Sequence, residues 1–144
     1  MSYVRIWVHC VWGTKKRISF LSDNNKWDIL NHIKENAKTK GIYIDFINGC
    51  KEHIHCIISL KADETLSKTI QLIKGESSFW INKNGLSKGK FQWADEYFAV
   101  SISESHLPKV RDYIKNQEER HKRKTWEEEC EEFMEKYGFE KIKG

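Results

Sequence analysis

The fold is decided by the stretch Glu52-His53-Ile54-His55-Cys56-Ile57-Ile58-Ser59-Leu60. Apolar and β-branched residues dominate it, and Pro and Gly are absent, which is typical of a β-strand. Because side chains on a strand alternate between its faces, His53 and His55 share one face and the intervening Ile54 belongs to the other. Two imidazoles on one face, backed by apolar residues, make half of a metal site. The alternative interpretation is one core histidine and one surface histidine.

The composition is that of a globular chain without a membrane segment. Hydrophobic residues make up 39% and charged residues 32% of the 144 residues, which suits one domain spanning 1–144 with a real core. The net charge of +4 permits a nucleic-acid partner without requiring one. Arg5 and His9 interrupt any apolar signal-peptide core, and no apolar run approaches the roughly 20 residues of a membrane span. We therefore expect a cytoplasmic protein with reduced thiols and no membrane partner.

Four residues near the histidine strand also have a spacing similar to that of zinc ligands: Cys50, His53, His55 and Cys56. If the strand continues through this stretch, however, Cys56 faces away from both histidines. The four side chains then cannot converge on one ion. A zinc-stabilised interaction domain therefore ranks behind the two hypotheses that are given below.

Periodicity along the rest of the chain predicts the order β-α-β-β-α-β, followed by extra helices. Asn48-Gly49 is a hairpin-turn signal that would pair the second strand antiparallel with the histidine strand. The pattern is that of an α+β, ferredoxin-like (RRM-like) split βαβ fold, with a four-stranded antiparallel sheet and two helices on one face. Strands are expected at 3–12, 42–47, 52–60 and 97–103, and helices from Ser22 or Asp23 to about Lys40, from Asp63 or Thr65, from about Lys109 and from Thr125.

In that topology the first and third strands lie side by side at the centre of the sheet. Ile54, Cys56 and Ile58 then pack beneath the two helices. His53 and His55 lie on the opposite face, which only the added C-terminal helices could cover. Any chemistry of the histidines therefore depends on what those last helices bring to the sheet.

Two polar residues of the predicted third helix could complete the histidine site. Tyr113 and Gln117 are four residues apart, hence on one face of a helix that could pack against the histidines. Two imidazoles and an amide oxygen can hold a divalent cation with open coordination positions. A tyrosine has a pKa of about 10, so it is a useful nucleophile where a metal polarises the electrophile, as in phosphoryl transfer. The alternative is that Tyr113 packs and Gln117 is solvated.

With these residues in place, the chain resembles the single-tyrosine HUH transposases of the smallest bacterial insertion sequences. Their signature is His-hydrophobic-His on a strand, here His53-Ile54-His55, followed by a helix with Tyr and then Gln, here Tyr113 and Gln117. The resemblance covers nearly the whole chain in order. Further blocks similar to the family are Val11-Trp-Gly-Thr-Lys-Lys-Arg17, Ile73-Lys-Gly-Glu-Ser-Ser78, Phe91-Gln-Trp-Ala-Asp-Glu-Tyr-Phe98 and Arg120-His-Lys-Arg-Lys-Thr-Trp-Glu-Glu-Glu129.

The resemblance implies that His53, His55 and Gln117 bind Mg²⁺ or Mn²⁺, and that Tyr113 attacks single-stranded, hairpin-bearing DNA. The products would be a 5′-phosphotyrosine and a free 3′-OH, so no nucleotide cofactor is needed. The alternative is a non-catalytic single-stranded nucleic-acid-binding protein derived from such a transposase, although binding alone needs none of these residues. One departure is the connection 104–108, which has no Gly and one Pro where the family's tyrosine helix swings on a flexible loop.

Basic residues with interleaved aromatic residues suit contact with the backbone and bases of single-stranded DNA. Taken alone, each basic patch could equally be a solvated face. The acidic stretch 127–132 is expected to stay off the DNA, and the apolar stripe Trp126, Cys130, Phe133 and Tyr137 to pack on the protein or on a dimer partner. The expected DNA-binding residues are Lys15, Lys16, Arg17, Lys74, Lys90, Trp93, Arg120, Lys122 and Arg123.

Two further expectations concern His9 and the oligomeric state. His9 can lie on the histidine face, beside the metal or the DNA, or it is an uninvolved polar residue. The family resemblance implies a homodimer with active sites shared between subunits. The short connection with Pro108 supplies a physical motive, because it restricts how the Tyr113 helix could fold back over its own subunit. Each site would then join His53 and His55 of one chain to Tyr113 of the other.

Overall fold

The computed structural model describes residues 2–117, 125, 127–129 and 131–132. Among these residues no helix is both long and apolar enough to cross a membrane. Short 3₁₀ helices follow the first and fourth strands, at Lys15–Arg17 and Glu104–His106. The strands are β1 (Ile6–Gly13), β2 (Tyr43–Cys50), β3 (His53–Leu60) and β4 (Phe98–Ile102), and the helices are α1 (Lys26–Thr39), α2 (Leu66–Lys83) and α3 (Leu107–Lys115).

The strands form one four-stranded antiparallel sheet in the order β2-β3-β1-β4. β1 and β3 are therefore the two central strands, and the α+β, ferredoxin-like fold expected from the sequence is confirmed. In the register, Val11 of β1 lies opposite His55, and Gly13 lies opposite His53. On the other side of β3, Asn48 of β2 lies opposite His55. The histidine strand is thus held in place from both sides.

One face of the sheet is covered by α1 and α2. Ile54, Cys56 and Ile58 are fully buried there, in a cluster to which α1 contributes Leu30 and α2 contributes Ile70. The helices present apolar residues at helical spacing and β3 presents every second residue, so the two patterns meet in one core. The predicted position of these β3 residues beneath the helices is confirmed.

The opposite face is covered in part by α3, which folds back over its own sheet. Leu107 and Ile114 pack against Trp7 and Ile57 in a second, smaller buried cluster. Pro108 lies in the first turn of the helix, where a missing backbone N–H costs no hydrogen bond. The argument that the Pro108 connection hinders this folding back is therefore wrong, because a 3₁₀ turn of 3 residues leads directly from β4 toward α3.

Two polar contacts from β2 fix α3 in this position. The guanidinium of Arg111 donates to both carboxylate oxygens of Asp45, at 2.7 Å each. The Nδ2 of Asn48 donates at 2.9 Å to the carbonyl of Ile114, in the last turn, where helix carbonyls lack partners within the helix. These contacts hold the middle and the end of α3 over the sheet, and Tyr113 lies between them.

The turn between β2 and β3 does not lie where the sequence predicts it. β2 continues beyond the Asn48-Gly49 pair to Cys50, and the connection is formed by residues 51–52. The glycine of the pair lies outside the positive-φ region that a type I′ turn requires. It serves close packing instead, because a Cβ at this position would lie 2.9 Å from the carbonyl oxygen of His53.

Candidate active site

His53 and His55 lie on the same face of β3, and both imidazoles are completely buried. Their ring centroids are 5.1 Å apart. Strand alternation predicts the shared face, and the structure has it. The burial is the further finding, because a polar ring withdrawn from water is stable only when other polar groups surround it.

Tyr113 projects from α3 toward the histidines of its own chain. Its ring centroid is 5.7 Å from that of His55 and 6.0 Å from that of His9, edge-on in both cases. Its hydroxyl donates to Oε1 of Glu129 at 2.5 Å. The residue predicted as the nucleophile and the residues predicted as metal ligands therefore meet within one chain.

Gln117 lies just beyond the end of α3 and is completely buried. Its Nε2 donates to the backbone carbonyl of Tyr113 at 3.3 Å, which links the two residues across one helical turn. Within the described part of the chain, no hydrogen-bond donor meets the amide oxygen Oε1 of Gln117. A buried oxygen without a donor is costly. This oxygen is therefore suited to bind a cation, and the predicted role of Gln117 as a ligand stays a prediction.

Glu129 belongs to the site, although no pattern described above predicts it. Its side chain is only 6% exposed. Its Oε2 lies 3.6 Å from Nε2 of His53, and its Oε1 lies 3.4 Å from Nε2 of His55. Glu129 thus lies against the predicted nucleophile and the histidines, and the expectation that the stretch 127–132 keeps away from the DNA stays a prediction.

A signal for Glu129 is present in the sequence. Glu129 follows Trp126 by three residues and precedes Phe133 by four, so on a helix it shares the apolar side of the segment. The neighbouring glutamates mostly lie on other sides. Residues 127–129 and 131–132 are helical, as expected. The residues of the apolar stripe itself, Trp126, Cys130, Phe133 and Tyr137, lie outside the described residues.

Burial and neighbouring groups in the site lower the pKa values of Glu129 and His9. Burial disfavours the carboxylate of Glu129, but the neighbouring His55 and the hydrogen bond from Tyr113 outweigh it and bring the pKa of Glu129 down to about 2. Burial, followed by repulsion from His55, lowers the pKa of His9 to about 3. At neutral pH the site therefore contains an ionised Glu129 beside a neutral His9.

His9 joins the site through its contact with His55. Nε2 of His9 lies 3.0 Å from Nδ1 of His55, and the two rings stack at 5.2 Å. A neutral His9 can accept the Nδ1 proton of His55, and this contact fixes the orientation of the His55 ring. Of the two interpretations drawn from the sequence, this contact supports the position beside the proposed ligands, and the role of His9 stays a prediction.

The cluster of His53, His55 and Glu129 fits a divalent cation. Its three ligand atoms lie within 4.8 Å of one another. Two ligands that are each about 2.1 Å from an ion lie about 3.0–3.5 Å apart, depending on the coordination geometry. The nitrogen-to-oxygen separations of 3.4 and 3.6 Å are close to these values and long for hydrogen bonds. Across residues 2–117 and the described C-terminal positions, no other group of three such side chains has this geometry.

The alternative zinc set is not assembled. Cys56 lies in the apolar core beneath α1 and α2, on the face of β3 opposite to His53 and His55. Burial raises the pKa of the Cys56 thiol well above its ordinary value, so the thiolate that zinc would need is disfavoured. The geometric objection raised from the sequence is therefore supported.

The basic loop after β1 is attached to the turn that precedes the histidines. The amide of Thr14 donates to the carbonyl of Glu52 at 2.8 Å. Lys15, Lys16 and Arg17 are exposed, and the last two have φ angles of 58° and 55°. Residues other than glycine rarely adopt this left-handed conformation, and where they do it often marks a functional loop.

A cleft of about 540 Å³ lies beside this loop. Its lining includes Lys15, Lys16, Lys88 and Lys90, with Phe91 among its apolar residues. Positive charge beside apolar side chains suits an unstacked nucleotide. Three of these lysines, Lys15, Lys16 and Lys90, are among the residues that the sequence predicts to bind DNA.

Two other residues expected to bind DNA are engaged within the protein. Trp93 is 7% exposed and its indole N–H donates to Oγ of Ser77 at 2.9 Å, so its burial contradicts the predicted role in base stacking. Lys74 is half-buried, and its Nζ donates to the carbonyl of Ala94 at 2.6 Å. The remaining basic residues of the prediction, Arg120, Lys122 and Arg123, lie outside the described residues.

The chain is similar in sequence to a known family and in fold to solved structures. The sequence profile of the family described as IS200-like transposase matches residues 2–117. The crystal structure of a candidate transposase from Deinococcus radiodurans R1 is similar with a TM-score of 0.65 at 20% identity, over 81% of this chain and 95% of that one. A REP-associated tyrosine transposase bound to a REP hairpin has a TM-score of 0.63 at 20% identity, over 84% and 72%. No curated protein sequence matches significantly.

Proposed function

Because the chain belongs to the IS200-like transposase family, we propose that it is a DNA-strand transferase that cuts and rejoins single-stranded, hairpin-bearing DNA through Tyr113. One observation carries the proposal: a single chain brings the hydroxyl of Tyr113 to an ionised carboxylate and beside the buried pair His53 and His55. A tyrosine that only packed against the sheet would need no such neighbours.

In the proposed reaction, Oη of Tyr113 attacks the phosphorus of a phosphodiester, and the bond between phosphorus and the 3′ oxygen breaks. The phenol loses its proton to a base, the departing 3′ oxygen gains a proton, and the 5′ phosphate stays on the tyrosine. One phosphodiester replaces another, so a later attack by a 3′-OH reverses the step on a second strand. No oxidant, reductant or nucleotide cofactor enters the balance.

The donor set fits Mg²⁺ or Mn²⁺ held by His53, His55 and the amide oxygen of Gln117, and the carboxylate of Glu129 can fill a further position while no DNA is bound. When bound, such an ion would polarise the phosphodiester and stabilise the charge that develops on its oxygens. Of the two ions, imidazole ligands suit Mn²⁺ better, because Mg²⁺ prefers an all-oxygen environment.

The remaining roles fall to the protein itself. α3 fixes the direction of the Tyr113 hydroxyl, because Arg111 and Asn48 hold the helix on the sheet. His9 fixes the position of the proton on His55. The burial of the site limits the access of water, which would otherwise compete with a 3′-OH for the phosphotyrosine.

The DNA is proposed to approach along the basic loop 15–17 and the adjoining lysine-lined cleft, and a REP hairpin is the partner present in one of the similar structures. Lys15, Lys16, Arg17 and Lys90 would contact phosphates, as would Arg120, Lys122 and Arg123. Binding of this kind weakens steeply with salt, because each phosphate contact releases counterions.

The function is tested with end-labelled single-stranded DNA from the flanks of the protein's own gene. The DNA is incubated with the protein and Mg²⁺ or Mn²⁺, and the products are separated on a denaturing gel. A covalent protein–DNA adduct that EDTA prevents supports the proposal. DNA binding without any adduct would support the non-catalytic nucleic-acid-binding protein instead.

A homodimer with shared active sites is a second arrangement of the same chemistry. Because one chain already places Tyr113 beside its own histidines, we propose that cleavage occurs within one subunit. Two differently tagged chains, one with Tyr113→Phe and one with His53→Ala and His55→Ala, are co-expressed and purified through both tags. The mixed dimer cleaves DNA only if its subunits share sites, and it stays inactive if each chain uses its own site.

A further inference from the structure

Two glutamates of the segment 127–129 contact protein groups that the proposed DNA substrate would also need. Glu129 accepts a hydrogen bond from Tyr113 and lies against both buried histidines. Two residues earlier, Glu127 forms an ion pair with Arg17 of the basic loop. Among the described residues of the segment, Glu129 is buried and the others are exposed. The segment is therefore anchored by the side chain that enters the site.

The carboxylate of Glu129 has the charge and the shape of one edge of a phosphodiester. Its Oε1 lies 2.5 Å from Oη of Tyr113 and 3.4 Å from Nε2 of His55, and its Oε2 lies 3.6 Å from Nε2 of His53. A phosphodiester under attack must bring its phosphorus to within about 3–3.5 Å of Oη. Its free oxygens must also reach the groups that would hold the cation. The phosphate and the carboxylate need the same space, so both cannot be present.

We propose that Glu129 occupies the position of the scissile phosphate, and that residues 127–129 are an internal competitor of the DNA. Because this competitor is defined by its contact with the nucleophile Tyr113, it rests on the proposed function. A carboxylate and a phosphodiester each carry one negative charge on hard oxygen ligands, so one can replace the other beside two imidazoles. The DNA must displace Glu129, and its apparent affinity falls with the fraction of molecules in which Glu129 remains bound.

The ion pair between Glu127 and Arg17 is the weaker of the two contacts that the competing segment makes. Both side chains are largely exposed, at 69% and 49%, and a surface ion pair of this kind contributes little by itself. Its position is informative, because the same segment that covers the nucleophile also covers a cation of the proposed DNA path.

The competitor is tested by DNA binding in EDTA, where metal-dependent cleavage does not occur. The readout is the fluorescence anisotropy of a labelled hairpin with a single-stranded flank. Glu129→Gln keeps the size of the side chain and removes its charge, and we expect about tenfold tighter binding, because a charge-assisted contact no longer opposes the DNA. Glu127→Gln should tighten binding by about twofold. Glu131→Gln changes the same net charge at an exposed position of the segment and is the matched control.

If Glu129→Gln binds DNA no more tightly than Glu131→Gln, the proposal is overturned. Loss of Mn²⁺-dependent cleavage in the same variant would then assign Glu129 as a permanent metal ligand. Failure of the proposed function gives a different pattern. In that case Glu129→Gln binds more tightly than the control, but neither it nor the unmodified protein forms a tyrosyl adduct.

Hydrogen–deuterium exchange tests the same point on the unmodified chain, should Glu129→Gln fail to fold. The amide of Glu129 donates to the carbonyl of Thr125 at 3.0 Å. Displacement of the segment would break this hydrogen bond and so speed the exchange of that amide. Saturating DNA should accelerate exchange in the peptide that contains 127–129 and leave α1, on the far side of the sheet, unchanged. Unchanged or slower exchange at 127–129 overturns the proposal.

Discussion

Side chains at the centre of the two faces of the sheet are equally buried, but those on one face are apolar and those on the other are polar. Beneath α1 and α2, Ile54 and Ile58 are fully buried among apolar side chains. Beneath α3 and the segment 127–129, His53 and His55 are equally buried, and so is Gln117. Apolar burial is favourable by about 25 cal/mol for each Å², whereas a buried polar group is costly unless it is paired. The first face therefore explains why the chain folds, and the second requires a function.

This difference predicts opposite effects for substitutions on the two faces. On the face covered by α1 and α2, here called the helix face, a substitution should lower the free energy of unfolding and leave the chemistry of each folded molecule intact. On the histidine face a change should remove the chemistry and have a smaller effect on folding, because the loss of a costly buried polar group partly offsets the loss of packing.

The largest effect is expected where the hydroxyl of Tyr113 is removed. Tyr113→Phe keeps the ring and deletes the nucleophile, so adduct formation on the denaturing gel should fall at least about a thousandfold. DNA binding, measured by anisotropy, should persist. Tyr3→Phe is the matched control, because Tyr3 is exposed and precedes β1. An undiminished adduct in Tyr113→Phe would assign the nucleophile to another residue.

The next largest effect is expected from the histidines. His55→Ala should reduce metal-dependent cleavage about a hundredfold or more and weaken Mn²⁺ binding in calorimetry, because the ion loses one of its imidazole ligands. His32→Ala is the control on the helix side, where His32 contacts Glu76 and stacks on Trp80. It should cleave as the unmodified protein does. Cleavage that survives EDTA would remove the metal from the mechanism.

Substitutions on the helix face should have the opposite effect, lowering stability rather than activity. Ile58→Ala leaves a cavity in a fully buried position, and we expect the free energy of unfolding to fall by about 2–5 kcal/mol in urea denaturation. The rate of adduct formation for each folded molecule should not change. Leu72→Ala, at a partly exposed position of α2, should change stability by about 0.5 kcal/mol or less. A slow but fully folded Ile58→Ala would show that the two faces are coupled.

The helix face could be predicted from the sequence because its pattern is local. Alternation in β3 places Ile54 and Ile58 on one side, and helical spacing in α1 and α2 supplies the residues that cover them. The same alternation puts His53 and His55 on the other side. Local periodicity decides the direction of a side chain within its own element, so it is informative wherever one element meets one layer.

The contacts between distant segments could not be predicted in this way. The Asn48-Gly49 pair has the composition of a turn, but the amide of Asn48 binds the carbonyl of Ile114. Trp93 follows Lys88 and Lys90 in the sequence, but its ring is buried in the core and its indole N–H binds Ser77. Glu129 reaches the histidines from the far end of the chain. Each of these outcomes depends on tertiary contacts that override local propensity.

The smallest effect is expected from the ion pair that holds α3 on β2. Arg111→Gln removes both hydrogen bonds to Asp45, but the apolar contacts of Leu107 and Ile114 remain and keep the helix on the sheet. A small change in the tilt of α3 would misdirect Oη of Tyr113. We therefore expect adduct formation to slow by about threefold, with unchanged DNA affinity.

A double-mutant cycle separates this positioning role from a general effect of charge. Asp45→Asn should reproduce the slower rate of Arg111→Gln, because each variant removes the same bidentate contact between α3 and β2. The double variant should be no slower than either single one, since the contact can be lost only once. If the two effects multiply instead, Arg111 and Asp45 act separately, and the tilt of α3 is set by its apolar side alone. The faces of the sheet would then differ in chemistry but not in the way their covering helices are held.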